Sequence, residues 1–338
     1  VTRVTLSWPG RGADSSAAAR EPRADLQRYA TRDGENELHF GDNLRALETL
    51  GKTHGASASL VYLDPPFLTG RVHQKIDRVD PDQARPSGTR LLGDARPRRD
   101  AFDDRWEDRG AYLDALGARL LALKPLLAPH GSLVVHVDPK TSHYVKVLCD
   151  EIFGEECFAS EIVWRYRRWP SKTPNFQRVH DVLLRYRGSA KATPRFTTLF
   201  EPLAPSTLAT WGTGKQRAVV EGKRRARSST TAEPSQGVPL GDVWDVGLIA
   251  PVARERTGYP SQKPEALLER LVRALTHEGD LVVDPYMGSG TTLAVAARLG
   301  RRFLGIDQSD VALETTRKRL AAAGHEVFAA GAGERAAS

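Results

Sequence analysis

Leu281-Val282-Val283-Asp284-Pro285-Tyr286-Met287-Gly288-Ser289-Gly290-Thr291-Thr292 is the stretch of this 338-residue chain that decides its fold. An apolar strand ends on an acid, and a glycine-rich turn follows. Gly288 and Gly290 let the backbone turn tightly and approach a ligand. A helix from about Thr291 to Leu299 comes next, and its N-terminus offers unpaired N–H groups to an anion such as a carboxylate. Ser289, Thr291 and Thr292 add hydroxyls. Arg302-Phe303-Leu304-Gly305-Ile306-Asp307 is then a second strand ending on an acid. In nucleotide-type folds an acid at that place hydrogen-bonds ribose hydroxyls. A Gly-x-Gly turn alone reads as a structural turn. Strand, loop, helix, strand and acid in that order read as a nucleoside-ligand site. No Gly-Lys-Ser/Thr follows, so this is not the phosphate-binding loop of nucleotide triphosphatases.

The same alternation extends outward. A helix over Glu265–Leu275 precedes the stretch, and a helix to about Ala322 follows it. Upstream, Leu38-His39-Phe40 is a short strand ending at Gly41-Asp42-Asn43, with a helix over 44–51. Ser59–Leu63 and Ser132–Val137 are further strands, with helices over Tyr112–Leu127 and Tyr144–Phe153. Glu161–Tyr166 and Asp181–Tyr186 complete the strands. Strands alternating with helices predict an α/β fold with a mostly parallel, doubly wound sheet. Residues 68–105 and 188–240 break the pattern with Arg, Asp, Pro and Gly. A loop as long as 68–105 is functional or disordered, and 188–240 carries a basic cluster at Lys223, Arg224, Arg225 and Arg227.

Asp64-Pro65-Pro66-Phe67 follows the buried strand Ser59–Leu63. A carboxylate at the carboxyl end of a strand in an open α/β sheet lies where ligands bind. The two prolines fix the backbone and remove two N–H donors, which leaves their carbonyls as acceptors. A carboxylate and a carbonyl together can clamp an exocyclic NH₂, and Phe67 offers a flat face to a base. Taken alone, the tetrapeptide also reads as a proline-rich turn.

Composition narrows the class. The net charge of +7 suits a polyanionic partner without establishing one. Only two cysteines are present, Cys149 and Cys157, too few and too isolated for a disulfide framework or a metal site. They are expected to be buried packing thiols, and no metal is expected. No apolar run is long enough to span a membrane, and residues 1–19 lack a signal-peptide stretch. The expected location is the cytoplasm.

Together these residues resemble the β-group bacterial DNA amino-methyltransferases, in which the catalytic motif precedes the cofactor motif. The family's Asp-Pro-Pro-Tyr/Phe motif stands as Asp64–Phe67. Its Asp-Pro-Phe-x-Gly-Ser-Gly-Thr-Thr motif stands as Asp284–Thr292, with Tyr286 where Phe is usual. Its Thr-Gln-Lys-Pro segment stands as Ser261-Gln262-Lys263-Pro264, and its Gly-Asp turn as Gly41-Asp42. The resemblance covers residues 37–322 apart from the two polar insertions.

It implies a Rossmann-like fold that binds S-adenosylmethionine, circularly permuted, with both motifs at the carboxyl ends of adjacent strands. It implies methylation of a flipped-out adenine at N6 in double-stranded DNA, since cytosine-N4 enzymes more often carry Ser at the position of Asp64. Cytosine-N4 transfer remains the alternative, followed by an inactive DNA-binding module. RNA and protein-glutamine methyltransferases usually carry Asn-Pro-Pro-Tyr, and Asp64 argues against them. Asp42, Asp284, Pro285, Tyr286, Gly288, Ser289, Gly290, Thr291, Thr292 and Asp307 are the cofactor candidates. Lys263 either joins them by pairing with the cofactor carboxylate or simply opens the following helix. Arg165, Arg167, Arg168 and Trp169, with Lys223, Arg224 and Arg225, are the DNA candidates. The implied division is a loosely ordered arm at 1–36, a catalytic half at 37–187 with a mobile loop at 68–105, a target-recognition region at 188–245, a cofactor half at 246–322 and a tail at 323–338. Family members are often dimers, and some are paired with a restriction endonuclease.

Overall fold

The computed structural model describes residues 4–11, 26–76, 98–170, 172, 174–221 and 224–330. Two units emerge, one of Val1–Phe196 with Val243–Ser338, the other of Thr197–Asp242. In chain order the first unit holds strands β1 (Gln27–Ala30) and β2 (Glu37–Phe40), helix α1 (Asn43–Thr53), β3 (Ala58–Leu63), β4 (Val72–Ile76), β5 (Arg98–Asp103), α2 (Arg109–Leu123), β6 (Leu127–Val137), α3 (Ser142–Phe153), β7 (Phe158–Arg165) and β8 (His180–Arg187). The second unit holds β9 (Phe200–Glu201), α4 (Pro205–Trp211), β10 (Gly214–Glu221), β11 (Arg224–Pro234) and β12 (Val238–Pro239). The first then resumes with β13 (Val243–Asp245), α5 (Glu265–Leu275), β14 (Leu281–Asp284), α6 (Thr291–Arg298), β15 (Arg302–Asp307), α7 (Asp310–Ala322) and β16 (Phe328–Ala329).

One ten-stranded sheet runs in the order β13-β7-β8-β6-β3-β14-β15-β2-β1-β16. Its centre, from β6 through β3, β14 and β15 to β2, is parallel. β3 is buried at all six positions, as a strand covered on both faces must be. Side chains alternate along it. Val61 and Leu63 join a core with Leu47, Leu50, Leu116 and Leu120 of α1 and α2. Leu60 and Tyr62 therefore face the other side, where they are buried as well. The adjacency of β3 and β14 is what matters for function: Val61 stands beside Val283, so the residues following both strands leave the sheet side by side.

Two expectations are corrected here. The arm is not loose up to residue 36, because Gln27–Ala30 pairs antiparallel with Glu37–Phe40. The polar stretch at 68–105 is not wholly a loop, because β4 and β5 form an antiparallel ladder at its two ends. Residues 77–97 lie outside the described residues. In the second unit β10 pairs with β11 and β9 with β12. Among the described residues, no helix is long and apolar enough to cross a membrane. Both cysteines are buried and free.

Candidate active site

β3 ends at Leu63 and β14 at Asp284, and the segments that follow converge on a cavity of about 1060 Å³. All the predicted catalytic and cofactor residues line it except Gly290. Asp64 is the centre of the first segment. Its Oδ2 accepts a 2.5 Å bond from Lys263 Nζ. Its Oδ1 is buried and accepts no hydrogen bond. The Lys263 ammonium also lies 5.0 Å from the centre of the Phe67 ring. Lys263 thus binds the predicted catalytic carboxylate, a role beyond the two expected of it, pairing with a cofactor carboxylate or opening the following helix. It also stands directly before Pro264, the N-cap of α5.

The glycine turn is built as its sequence demands. Gly288 (φ +48°) and Gly290 (φ +70°) adopt left-handed backbone. A Cβ on Gly288 would stand 3.1 Å from the Tyr259 ring, and one on Gly290 only 2.6 Å from Thr316 Oγ1. No side chain caps the N-terminus of α6. The N-cap residue, Gly290, has no side chain with which to satisfy the helix's first N–H groups. Asp284 is buried, accepts from Tyr286 N at 3.0 Å, and is pushed up by that burial to about 7. Asp307 accepts from Gly288 N at 3.0 Å and Ser309 N at 2.9 Å, and burial raises it to about 6. Two carboxyls that titrate this high suit a ligand that carries positive charge or hydroxyl donors. Asp42 caps α1 through Arg45 N and accepts from Arg119 Nη2 at 3.2 Å. The adjacent Asn43 donates to the Pro285 carbonyl at 3.0 Å, which ties this turn to the glycine loop. The cavity, the glycine cradle and the open helix end fit a nucleoside bearing an amino-acid tail.

Sequence reasoning passed over the residues behind Asp64. His136 of β6 is wholly buried. Its Nδ1 is 2.7 Å from Tyr62 Oη and 3.7 Å from Asp64 Oδ1. Its Nε2 faces Asp181 Oδ2 at 3.5 Å. Asp181 also accepts from Tyr166 Oη at 3.1 Å. Burial pushes the Asp181 carboxyl up, but His136, Lys263 and the Tyr166 hydroxyl outweigh it and hold it below the ordinary value. A polar residue inside the apolar run Leu133–Val137 was the available signal. Asp104, a second omission, is fully buried and accepts from Leu68 N, Thr69 N and Thr69 Oγ1 just past the motif.

Of the DNA candidates, Arg165 pairs with Asp245, and Arg167 and Arg168 are exposed. Trp169 is 92% exposed. They lie at the end of β7 and in the β7–β8 connection. The register Arg165–His180, Val182–Val137 and Val135–Leu63 puts that connection on the same edge of the sheet as Asp64. Arg224 and Arg225 begin β11, and Lys223 lies outside the described residues.

Comparison with known proteins agrees with this geometry. The sequence profile of the DNA methylase family, whose members methylate amino nitrogens N6 and N4, matches residues 58–318. The type II methyltransferase M.EcaI of Enterobacter cloacae is 28% identical over 94% of this chain and 78% of its own length. The DNA adenine methyltransferase YhdJ of Escherichia coli (strain K12) is 24% identical over 87% of this chain and 88% of its own. Among solved structures, the cytosine-N4-specific PvuII DNA methyltransferase shares the fold with a TM-score of 0.53, 17% identity, and coverage of 84% of this chain and 86% of that one. The profile spans both strand ends that line the cavity, and the chain belongs to the N6/N4 DNA methylase family.

Proposed function

We propose that this chain transfers a methyl group from S-adenosylmethionine to the N6 amine of an adenine flipped out of double-stranded DNA. One observation carries the reading: Asp64 lines the cavity beside the glycine loop with one carboxylate oxygen bound to Lys263 and the other unbound. Bound S-adenosylmethionine supplies an electrophilic sulfonium methyl. Asp284, the glycine turn and Asp307 hold that cofactor, with Asp42 near its adenine.

An amine inside a duplex is out of reach, so the base must leave the stack. Phe67 stacks on it, which contributes roughly 1–3 kcal/mol. The Asp64 carboxylate and the Pro65 carbonyl accept the two N–H bonds of the amine. Neither Pro65 nor Pro66 has an N–H to compete for those acceptors. Drawing both hydrogens into the clamp turns the nitrogen lone pair out of the ring and toward the methyl. The excess proton then leaves through Asp64 or solvent. Position and fixed charge do most of the work.

Asp rather than Ser at position 64 supports adenine, as does the name borne by YhdJ. The order of the two motifs in the chain, with strands that nevertheless lie adjacent, supports a permuted arrangement. Thr197–Asp242, a separate unit within 188–245, is assigned the role of reading the target sequence. Asp64→Ala tests the core of the reading. It is expected to abolish methyl transfer to DNA while calorimetry still shows S-adenosylmethionine binding. Transfer at the wild-type rate would remove Asp64 from the mechanism.

A further inference from the structure

β6 runs Leu133-Val134-Val135-His136-Val137, and a histidine has no packing reason to be in it. A neutral imidazole buried among apolar residues costs free energy unless its nitrogens find partners. Three other strands of the sheet, β3, β8 and β7, contribute side chains around this ring. Tyr62 of β3 offers a hydroxyl to Nδ1 at 2.7 Å. Asp181 of β8 faces Nε2 at 3.5 Å, within ion-pair distance but without a formed hydrogen bond. Trp164 of β7 meets the ring edge-on, with centroids 5.5 Å apart. The catalytic motif lies against the same ring. Phe67 packs on it with centroids 5.5 Å apart at 55°, and Asp64 Oδ1 is 3.7 Å from Nδ1.

We propose that His136 is the positioning residue for both halves of the catalytic motif, with its proton kept on Nε2 by Asp181. This rests on Asp64 and Phe67 having the roles given above. The carboxylate at Nε2 favours the tautomer with its proton there. Nδ1 then accepts the Tyr62 hydroxyl proton and presents only a lone pair toward Asp64. An acceptor facing an acceptor forms no bond, so the ring leaves Asp64 Oδ1 unbound and the carboxylate turned toward Lys263. The ring also fills the space in which water would otherwise reach that oxygen. The opposite tautomer would put an N–H at 3.7 Å from Oδ1 and pull the carboxylate toward the ring. The face of the ring meanwhile sets the tilt of Phe67 and hence of the base stacked on it.

The sharpest variant is Asp181→Asn, which keeps shape and removes charge. Its amide can donate to Nε2 and move the proton to Nδ1. Single-turnover methyl transfer is expected to fall about 100-fold, the scale of a small misplacement at a reacting centre. S-adenosylmethionine affinity and the melting temperature are expected to stay at wild-type values. His136→Phe, which keeps the ring face and loses both nitrogens, is expected to lose rate in the chemical step rather than in KM for DNA. A full transfer rate in Asp181→Asn overturns the proposal, and so does a loss confined to KM. Asp64→Ala is measured beside them. If it is inactive while Asp181→Asn is fully active, only the positioning role fails. If it is active, the catalytic reading itself fails.

Discussion

Asp104 shows how much a single residue outside the motif can decide. Leu68, directly after Phe67, has φ +58°, a conformation that costs a branched residue about 1 kcal/mol or more. It persists because the Asp104 carboxylate accepts its N–H at 2.9 Å, the Thr69 N–H at 2.8 Å and the Thr69 hydroxyl at 2.6 Å. Trp106 Nε1 adds a fourth bond at 3.1 Å. Asp104→Ala strands these donors and is expected to cost about 2–4 kcal/mol in urea denaturation. It should also lower the transfer rate, because Phe67 loses its anchor. Unchanged stability would contradict this account. Asp104 was not legible in the sequence, since it is one acid among many in a polar stretch. Asp64 was legible only because a buried strand ends before it and two prolines follow it.

At the scale of elements, the turn from β14 to α6 carries a measurable electrostatic cost. Burial raises Asp284 from its ordinary 3.8 to about 7. Between those values the folded chain holds a proton that the unfolded chain has released. Stability from this group is therefore present below about pH 4 and lost as pH rises through about 7. Asp284→Asn removes the effect. Relative to wild type without ligand, the variant is expected to gain stability steadily across that window, by up to about 4 kcal/mol. Denaturation measured at several pH values checks this, and a pH-independent difference would contradict it. The turn itself was readable because glycine is needed at both left-handed positions. β1, β4, β5, β13 and β16 were not read: they are short, they lie outside the parallel centre, and they bury too little to impose a period on their sequence.

At the scale of the molecule, the order of strands explains why two motifs separated by more than half the chain act together. β14 inserts between β3 and β15, so the catalytic and cofactor segments leave the same edge of the sheet. The β7–β8 connection brings exposed Arg167, Arg168 and Trp169 to that edge as well. Arg167→Ala with Arg168→Ala is expected to weaken binding to all duplexes alike and to reduce the salt dependence by about 1 per charge removed. An unchanged salt slope would place both side chains off the DNA. The parallel centre was legible from its apolar runs, but the pairing of strands distant in sequence was available only through the family resemblance. The central claim is an adenine-N6 methyltransferase reaction centred on Asp64. Its most direct test is mass-spectrometric analysis of nucleosides from DNA incubated with the protein and methyl-labelled S-adenosylmethionine. The account predicts labelled N6-methyladenine with the wild-type chain and none with Asp64→Ala. Labelled N4-methylcytosine, or no labelled nucleoside at all, would contradict it.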